Sequence, residues 1–154
     1  MTISAPFALP FWKTKTLAQM SASEWESLCD GCGKCCLSKI EDEDTAEIFY
    51  TSVICRLFDE GTCRCTDYAN RSIKVPDCVT LDIQNVSELS WLPKTCAYKL
   101  VMDGQDLYPW HHLVCGDRDQ VHVQSISVRG KITAVETELE TGEDYFPHIL
   151  DQEP

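Results

Sequence analysis

Four cysteines fall within eight residues of this chain, and their spacing is typical of ligands to a soft metal. They are Cys29, Cys32, Cys35 and Cys36, in the pattern C-x2-C-x2-C-C. Free cysteine also serves as a small buried apolar residue, but the core face of a helix or strand would not space it in this way. Disulfide bonds among such close neighbours are disfavoured, because a bridge requires its two Cα atoms at a defined separation. A loop that wraps a metal ion or cluster accounts for the pattern more simply.

The same spacing restricts which metals this loop would bind. Thiolates select zinc, copper(I) or iron–sulfur clusters and disfavour magnesium and calcium. Bacterial ferredoxins begin their cluster-binding run with C-x2-C-x2-C, and a remote cysteine completes the coordination. A C-x2-C pair is also half of a structural zinc site, whose second pair lies elsewhere in the chain. We therefore predict an iron–sulfur cluster, with 4Fe–4S as one form, or a zinc or iron ion, and the three-cysteine run favours the cluster.

More cysteines follow along the chain and offer the remaining ligands. We predict that the metal ligands beyond the first four are Cys55, Cys63, Cys65, Cys78 and Cys96. These nine thiols are too many for one four-ligand site, so either two centres exist or one larger centre lies among spare thiols. Cys35 and Cys36 pose the same question, since two adjacent side chains reach one ion only with difficulty. The firmest candidate ligands are Cys29, Cys32, Cys36 and one of Cys65 and Cys78.

Other side chains near the cysteines are candidates for cofactor contacts. Lys34 lies inside the loop, so its charge must be near the sulfurs. Gly31 and Gly33 allow the positive-φ turns that let successive thiolates converge. Tyr68 and Arg71 would lie over the cluster, where the guanidinium would offset thiolate charge. The alternative is that Tyr68 belongs to the core and that Arg71 pairs with a carboxylate.

Several polar residues have a simpler structural explanation. His111 and His112 fall in a predicted loop, where a solvated or hydrogen-bonded histidine is more common than a metal ligand. Asp30 and Asp77 stand beside cysteines or turns, and we expect them to cap backbone N–H groups. The acidic run of residues 41–44 lacks the spaced ligands and the glycine of a calcium loop, so we predict a solvated turn.

The composition defines the class of protein and excludes some partners. With 154 residues, 44% of them hydrophobic, the chain is long enough for one domain with a real core. Its net charge of −12 excludes a nucleic-acid partner, because no basic face could neutralise phosphates. No apolar run is long enough to span a membrane, so we predict no membrane partner. The amino terminus lacks the apolar core and cleavage site of a signal peptide, so we predict a cytoplasmic protein with reduced thiols rather than a secreted disulfide framework.

Two short helices are expected to position the cysteines. Overlapping capping boxes of serine and glutamate predict a helix near residues 21–30 that delivers Cys29 at its end. A proline near a first helical position predicts another helix near residues 93–103, with Cys96 early in it. Its thiolate would then lie near the positive end of the helix dipole.

We predict an α+β fold, in the form of a small irregular single domain organised around cysteine-rich metal-binding loops. The β-branched and aromatic residues of 48–54 predict a strand, and the alternation across 121–135 predicts a β-hairpin. We divide the chain into an amino-terminal arm (1–20), a cysteine-cluster domain (21–140) and an acidic, loosely held carboxy-terminal tail (141–154).

The cysteine pattern and its flanking residues resemble a known family. The similar segments are Glu24–Cys36, then Cys55, Cys63–Arg71 and Cys78, and finally Trp91–Tyr98. Together they resemble the CxxCxxCC cysteine-cluster family, described as a zinc- or iron-chelating domain, and nearly the whole chain is similar to its uncharacterised bacterial YcgN-like group. Cys115 departs from the family pattern, so we predict a buried non-ligand there. The family also includes flagellin lysine methylases, which implies that such a cluster can serve an enzyme.

Three functions are compatible with these features. The first is a cytosolic metal- or cluster-binding protein with a redox or metal-handling role, and it is the one we predict. The second is a structural zinc module that presents a surface to a protein partner. The third is a cluster-dependent catalyst or an accessory to an enzyme. The chain has no Gly-rich phosphate loop, no G-x-G-x-x-G and no nucleophile elbow, so any catalysis would depend on the cysteines.

Overall fold

The computed structural model describes residues 9–151, which combine short helices with short strands. The helices are α1 (Phe11–Thr14), α2 (Ala22–Ser27), α3 (Arg71–Lys74), α4 (Ala97–Met102), α5 (His112–Cys115) and α6 (Gln120–Val123). The strands are β1 (Leu37–Glu41), β2 (Ile48–Ile54), β3 (Phe58–Asp59), β4 (Arg64–Cys65) and β5 (Ala134–Val135). Short 3-10 turns occupy Leu17–Gln19, Lys34–Cys36, Tyr68–Asn70, Glu136–Glu138 and Gly142–His148. This mixture confirms the predicted α+β class. Across the described residues, no helix has the length and apolar character needed to cross a membrane.

β2 is the central strand of a three-stranded sheet. β1 pairs with it in the antiparallel direction, with Leu37 opposite Ile54, and β5 pairs with it in parallel, with Val53 opposite Ala134. All residues from Tyr50 to Ile54 are buried, so both faces of β2 are covered at this end. The predicted strand is confirmed with the predicted bounds.

Three cysteines stand at one end of the strands. Cys55 directly follows β2, and its N–H donates to the Cys36 carbonyl over 3.0 Å. A tight turn then leads into β3, closed by a hydrogen bond from the Phe58 N–H to the Cys55 carbonyl over 3.0 Å. β3 pairs in the antiparallel direction with β4, which places Phe58 opposite Cys65. Strand register therefore brings together cysteines that are far apart in the sequence.

The buried apolar side chains form two clusters. The one we call the helical core consists of Leu17, Leu28, Val86, Leu92, Ala97, Tyr98, Leu100 and Leu107. The one we call the sheet core consists of Leu37, Ile54, Cys63 and Val128. The helical core underlies α2 and α4, whereas the sheet core underlies the ends of β1 and β2.

Both predicted helices are present, although they are shorter than predicted. α2 begins after Ser21, whose hydroxyl accepts the Glu24 N–H over 3.2 Å. The Glu24 carboxylate accepts the Ser21 N–H over 2.9 Å, which completes a capping box. α4 begins after Cys96.

The predicted hairpin over residues 121–135 is wrong. The first half forms α6 and a turn, and the second half contributes only the two residues of β5. Val121 and Val128 are both buried, but they reach the core from a helix and a turn rather than from paired strands. The Val128 N–H donates to the Cys32 carbonyl over 2.8 Å, so a distant loop takes the hydrogen bond that a hairpin partner would have taken.

The carboxy-terminal segment is attached more firmly than its acidity predicts. Thr51 and Ile149 form an antiparallel bridge, and the Leu150 N–H donates to the Tyr50 carbonyl over 2.8 Å. β5 pairs only with the last two residues of β2, so this segment covers the edge that β5 leaves open. The expectation of a loosely held tail is therefore wrong for residues 149–150.

Candidate metal centre

The loop of residues 29–36 begins where α2 ends. Leu28 caps α2 and is completely buried, so the start of the loop is fixed on the helical core. Gly31 and Gly33 have φ values of 76° and 75°, in the left-handed region that glycine adopts without penalty. The Cys36 N–H then donates to the Gly33 carbonyl over 3.0 Å. The predicted positive-φ turns are confirmed.

Two adjacent histidines brace the carboxyl end of α2. His111 is 1% exposed, and its Nε2 lies 2.8 Å from the Leu28 carbonyl oxygen. Its Nδ1 accepts the Leu113 N–H over 3.0 Å, so the ring proton is on Nε2 and both nitrogens have partners. The Nε2 of His112 lies 2.7 Å from the Ser27 carbonyl oxygen. Both histidines are thus hydrogen-bonded supports of the loop, and desolvation lowers the pKa of both rings.

Three cysteines of the loop share a neighbourhood with Cys96. We call this set the first thiol group, and its members are Cys29, Cys32, Cys35 and Cys96. Desolvation raises the pKa of Cys29 to about 12, and the charges of Cys35 and Cys96 act in the same direction. Desolvation also raises the pKa of Cys32 well above its usual range, followed by the charges of Asp30 and Cys35. Without a nearby cation, most of these sulfurs hold their protons at neutral pH.

Contact between α2 and α4 brings Cys96 to the loop. The Tyr98 hydroxyl donates to the Trp25 carbonyl over 2.8 Å, and the two ring centroids lie 4.7 Å apart. Cys96 immediately precedes α4 as its N-cap residue, rather than lying early within the helix as predicted. Desolvation raises the pKa of Cys96 to about 11, and the backbone N–H groups of Lys99 and Tyr98 oppose that rise. The amino-terminal end of α4 therefore favours the thiolate form.

Asp30 is a buried carboxylate inside the loop. Its Oδ1 accepts the Cys32 N–H over 2.9 Å, so the predicted capping role is confirmed. Its Oδ2 is buried and has no hydrogen-bond partner in the part of the chain that the structure describes. The residue is 7% exposed, and its charge raises the pKa of the neighbouring cysteines. Because a buried carboxylate oxygen without a partner is destabilising, a bound cation in the first thiol group would satisfy it.

Two lysines bring positive charge to the first thiol group. Lys34 is 4% exposed, and its Nζ donates to the Thr95 hydroxyl over 3.1 Å. The Nζ of Lys39 donates to the carbonyls of Leu37 and Cys35, over 2.7 and 3.1 Å. Desolvation lowers the pKa of Lys39, while the nearby thiolates oppose that change. Lys39 was not predicted from the sequence, where the only signal is its position shortly after the cysteine run.

Four other cysteines form a second neighbourhood. We call this set the second thiol group, and its members are Cys36, Cys55, Cys65 and Cys78. Directly opposite residues of antiparallel strands have neighbouring side chains, and the Cys55–Cys36 hydrogen bond continues the β1–β2 pairing by one residue. Desolvation raises the pKa of Cys55, and the charges of Cys78 and Cys65 add to the rise. The hairpin of β3 and β4 carries Cys65 to the same place.

Tyr68 and Arg71 lie at the rim of the thiol groups. The Arg71 guanidinium is 3.7 Å from the Tyr68 ring centroid and donates to the Tyr68 carbonyl over 2.5 Å. Desolvation raises the pKa of Cys78, and the charge of Arg71 opposes the rise. The Tyr68 hydroxyl donates to the Glu26 carboxylate over 3.0 Å, on α2 beside the first thiol group. Tyr68 is 52% exposed, which does not match the core alternative.

Cys35 and Cys36 stand where the two groups meet. A hydrogen bond between the two thiols lowers the pKa of Cys35 to about 7 and raises the pKa of Cys36. The charge of Lys39 also favours the Cys35 thiolate. Above about pH 7 the pair therefore retains one proton, which Cys36 holds.

Two cysteines belong to neither group. Cys63, one of the predicted ligands, belongs to the sheet core, with its sulfur 3.9 Å from the Cys32 carbonyl oxygen. Desolvation raises the pKa of Cys63, and the charge of Arg129 opposes the rise. Cys115 is exposed rather than buried, so that expectation is wrong, and its thiol donates to the Trp110 carbonyl over 3.4 Å.

The thiol groups are neighbourhoods rather than closed cages. All ten cysteines are free thiols. Within residues 9–151, no three cysteine, histidine, aspartate or glutamate side chains converge closely enough to hold one ion. A metal must therefore draw its ligands together as it binds, which is usual where ligand ordering is coupled to binding.

Comparisons with known proteins identify the same part of the chain. Residues 28–97 match the family model CxxCxxCC, described as "Putative zinc- or iron-chelating domain", and this range contains every member of both thiol groups. A UPF0260 protein of Mesorhizobium japonicum is 67% identical over 145 residues, which cover 94% of this chain and 98% of that protein. UPF0260 proteins of Brucella canis and Rhodopseudomonas palustris are 56% and 57% identical, over 92% and 94% of this chain and 93% and 84% of those proteins. No solved structure matches the chain significantly.

Proposed function

Because this chain belongs to the UPF0260 family and its residues 28–97 match the CxxCxxCC family model, we propose that it is a cytosolic protein that holds an iron–sulfur cluster through its clustered thiolates. Its role would be redox chemistry or metal handling. One observation carries the proposal: four cysteines from distant segments, Cys55, Cys65, Cys78 and Cys96, lie near the four cysteines of the loop of residues 29–36. Soft thiolate donors in this number suit iron–sulfur clusters and zinc better than any hard cation.

The protonation of the sulfurs predicts a metal affinity that depends on pH. The pKa values of Cys29 and Cys96, raised to about 12 and about 11, mean that both are protonated thiols at neutral pH when no metal is bound. A metal binds the thiolate, so its binding must release these protons. The unpartnered Oδ2 of Asp30 adds a further site of negative charge. Metal affinity should therefore fall as the pH falls.

The surrounding cations support a cluster in particular. A cluster held by four thiolates carries net negative charge, and nearby positive groups and hydrogen-bond donors tune its reduction potential. Lys34 and Arg71 offer that charge at the first and second thiol groups, as proposed from the sequence. Tyr68 would cover the rim between them.

A structural zinc module is the second candidate. Closed zinc sites use four cysteine or histidine ligands in tetrahedral arrangement, and both thiol groups contain four cysteines. Next to the second group, Ile73 and Val79 are 80% and 45% exposed, which favours a surface for a protein partner. This candidate predicts a colourless protein without redox activity.

Elemental analysis of protein purified without oxygen tests the proposal. We expect iron with acid-labile sulfide and a visible absorption that fades in air. Tightly bound zinc in a colourless protein would support the structural module instead. A reduced, folded chain that binds neither iron nor zinc would contradict both candidates.

A matched pair of variants links the metal to the thiols. Cys32→Ser should lose most of the bound metal and lower the melting temperature, because the metal contributes to the folding free energy. Cys115→Ser should keep both, since Cys115 lies outside both groups. Retention of metal and stability by Cys32→Ser would contradict the proposal.

A further inference from the structure

We propose that the chain binds a small monocarboxylate with an apolar body, in a cavity between residues 12–18 of the amino-terminal arm and residues 101–106 at the end of α4. The cavity has a volume of about 600 Å³, within the usual range for small-molecule sites. The described residues that line it include no cysteine. The site is therefore separate from both thiol groups, and it adds a ligand that the proposed function does not include.

Apolar side chains form the buried side and part of the rim of this cavity. Leu17 and Val86 belong to the helical core and are 6% and 2% exposed. Ile83 and Met102 also line the cavity, but they are 47% and 37% exposed. An apolar ligand would cover these two side chains and remove their surface from water, which favours binding.

Positive charge lines the side of the cavity that the arm provides. Lys13 and Lys15 both line it, and their side chains are 43% and 41% exposed. Asp106 is the only acidic residue among the described lining residues. Two lysines and one aspartate give the lining a net charge of +1, whereas the whole chain has a net charge of −12. The cavity is thus a locally positive site on an acidic protein, and it should prefer an anion to a cation.

Hydrogen bonds hold Lys13 in place to meet a ligand. The Oδ2 of Asp106 lies 3.1 Å from the Lys13 Nζ, and its Oδ1 accepts the Trp12 indole N–H over 3.3 Å. Lys15 instead donates to both carboxylate oxygens of Glu24, over 2.8 and 3.1 Å. An ammonium has three donors, so Lys13 can donate to a ligand carboxylate while it keeps Asp106. The apolar body of that ligand would then lie against the buried side of the cavity.

The donors favour a carboxylate over a phosphate. Arginine recognises phosphate groups through paired N–H donors, and the described lining residues include no arginine. A single ammonium beside an apolar surface suits one negative charge on a mainly apolar molecule. The expected ligand class is therefore an aliphatic or aromatic monocarboxylate.

Titration of the reduced full-length chain with octanoate, octanamide and octylammonium tests the site. The three probes share one apolar chain and differ in charge. Adventitious binding to an acidic protein would be tightest for the cation, whereas the proposed site should bind octanoate more tightly than octanamide, by about twofold to fivefold, and octylammonium least. Amide NMR spectra should show the largest shifts at Leu17, Val101 and Met102. Tightest binding of octylammonium, shifts confined to other residues, or no binding would overturn the proposal.

Variants of the lining separate charge from space. Lys13→Gln should weaken octanoate binding by about twofold to fivefold and leave octanamide binding unchanged. Lys74→Gln is the matched control, because Lys74 also pairs with one aspartate, Asp67, but lies outside the cavity lining. Ser87→Trp places a large side chain at an exposed lining position and should abolish the binding of both probes. Equal octanoate affinity in Lys13→Gln and wild type would overturn the proposal.

The wild-type order of the three probes needs no variant, so it decides the question even if a variant fails to fold. Metal content measured on the same samples keeps this site distinct from the proposed function. A chain that binds metal but not octanoate would overturn only the cavity site, and a chain that binds octanoate but no metal would overturn only the proposed function.

Discussion

The two thiol groups are supported by different kinds of structure. The first group lies on α2 and α4, over the helical core, and three of its four sulfurs come from the single segment Cys29–Cys35. The second group lies at strand ends over the sheet core, and each of its sulfurs comes from a different segment. Local helix and turn signals are therefore sufficient to build most of the first group, whereas the second exists only when the strand register has formed.

The groups also differ in the source of their positive charge. Lys34 and Lys39 serve the first group, and both hydrogen-bond to neighbouring oxygens that hold the ammonium in place. Arg71 serves the second group and is stacked on the Tyr68 ring. An ammonium is a compact charge whose pKa responds to burial, whereas a guanidinium stays charged and suits stacking. Changes of pH or burial should therefore alter the charge of Lys39, whose pKa desolvation lowers, more than that of Arg71.

The largest expected effect is the loss of stability on replacing Leu28, the buried residue directly before the first thiol group. Leu28→Ala would leave a cavity in the helical core at a completely buried position, directly before Cys29. We expect the free energy of unfolding to fall by about 2–5 kcal/mol. Urea denaturation followed by tryptophan fluorescence measures the change. Leu9→Ala is the control, because Leu9 is 65% exposed and its loss should change stability by less than about 0.5 kcal/mol. If Leu28→Ala and Leu9→Ala lowered the free energy of unfolding equally, the tight packing of Leu28 in the helical core would be refuted.

A second prediction concerns the contact between the loop and the hairpin. Gly31 and Gly33 have nearly the same positive φ, but a Cβ at Gly33 would lie 2.7 Å from Phe58 Cζ and 2.8 Å from Val128 Cγ2. A Cβ at Gly31 would meet nothing within 4 Å. Both alanine variants bear the left-handed strain of about 1–2 kcal/mol. Gly33→Ala adds overpacking of about 1–3 kcal/mol.

The two glycine variants are each other's control in the same denaturation experiment. Gly33→Ala should also disturb the second group, because Phe58 belongs to the hairpin that carries Cys65. Gly31→Ala should leave that group's metal content unchanged. If the two variants were equally stable, the close approach of Phe58 to the loop would be without energetic consequence.

These differences explain which features the sequence predicted. The capping box at Ser21 and the β-branched run of 48–54 are local signals, and both produced elements where they were expected. The residues of 121–135 also alternate, but their partners are the Cys32 carbonyl and β2, which no local pattern reveals. Likewise the burial of Cys63 in the sheet core depends on long-range packing with Leu37, Ile54 and Val128.

A third prediction concerns how the stability of the protein depends on pH through His111, which hydrogen-bonds to the carboxyl end of α2 beside the first thiol group. Desolvation lowers the pKa of His111 below 6.5, so the folded state resists protonation more than the unfolded state does. Stability should therefore fall as the pH drops below about 6.5, by at most about 1.4 kcal/mol per pH unit for one proton. His111→Gln should flatten this slope while its amide can still donate to the Leu28 carbonyl.

Urea midpoints at pH 8, 6.5 and 5.5 measure the slope for wild type and variant. At pH 8 the histidine is neutral in both states, so that value isolates the structural effect of the substitution. Acidification also protonates metal-binding thiolates, so only the difference between the two proteins reports on His111. A wild-type slope that survives unchanged in His111→Gln would exclude this residue as the cause.

The smallest expected effect concerns the reactivity of Cys35, which stands next to Cys36 where the two thiol groups meet. Cys29 and Cys35 both have exposed surface, but desolvation of the thiol raises the pKa of Cys29 to about 12, whereas a hydrogen bond with Cys36 lowers the pKa of Cys35 to about 7. In reduced, metal-free protein at pH 7, iodoacetamide should therefore modify Cys35 much faster than Cys29, because the thiolate is the nucleophile.

Cys36→Ala removes the thiol that donates to Cys35 and should slow its modification by about threefold to tenfold. Lys39→Gln removes the second stabilising contribution and should have a smaller effect in the same direction. Peptide mapping after short exposure gives the rate at each cysteine, and Cys115 provides the internal reference. If Cys35 reacted no faster in wild type than in Cys36→Ala, the shared proton would be absent and the two groups would meet without electrostatic coupling.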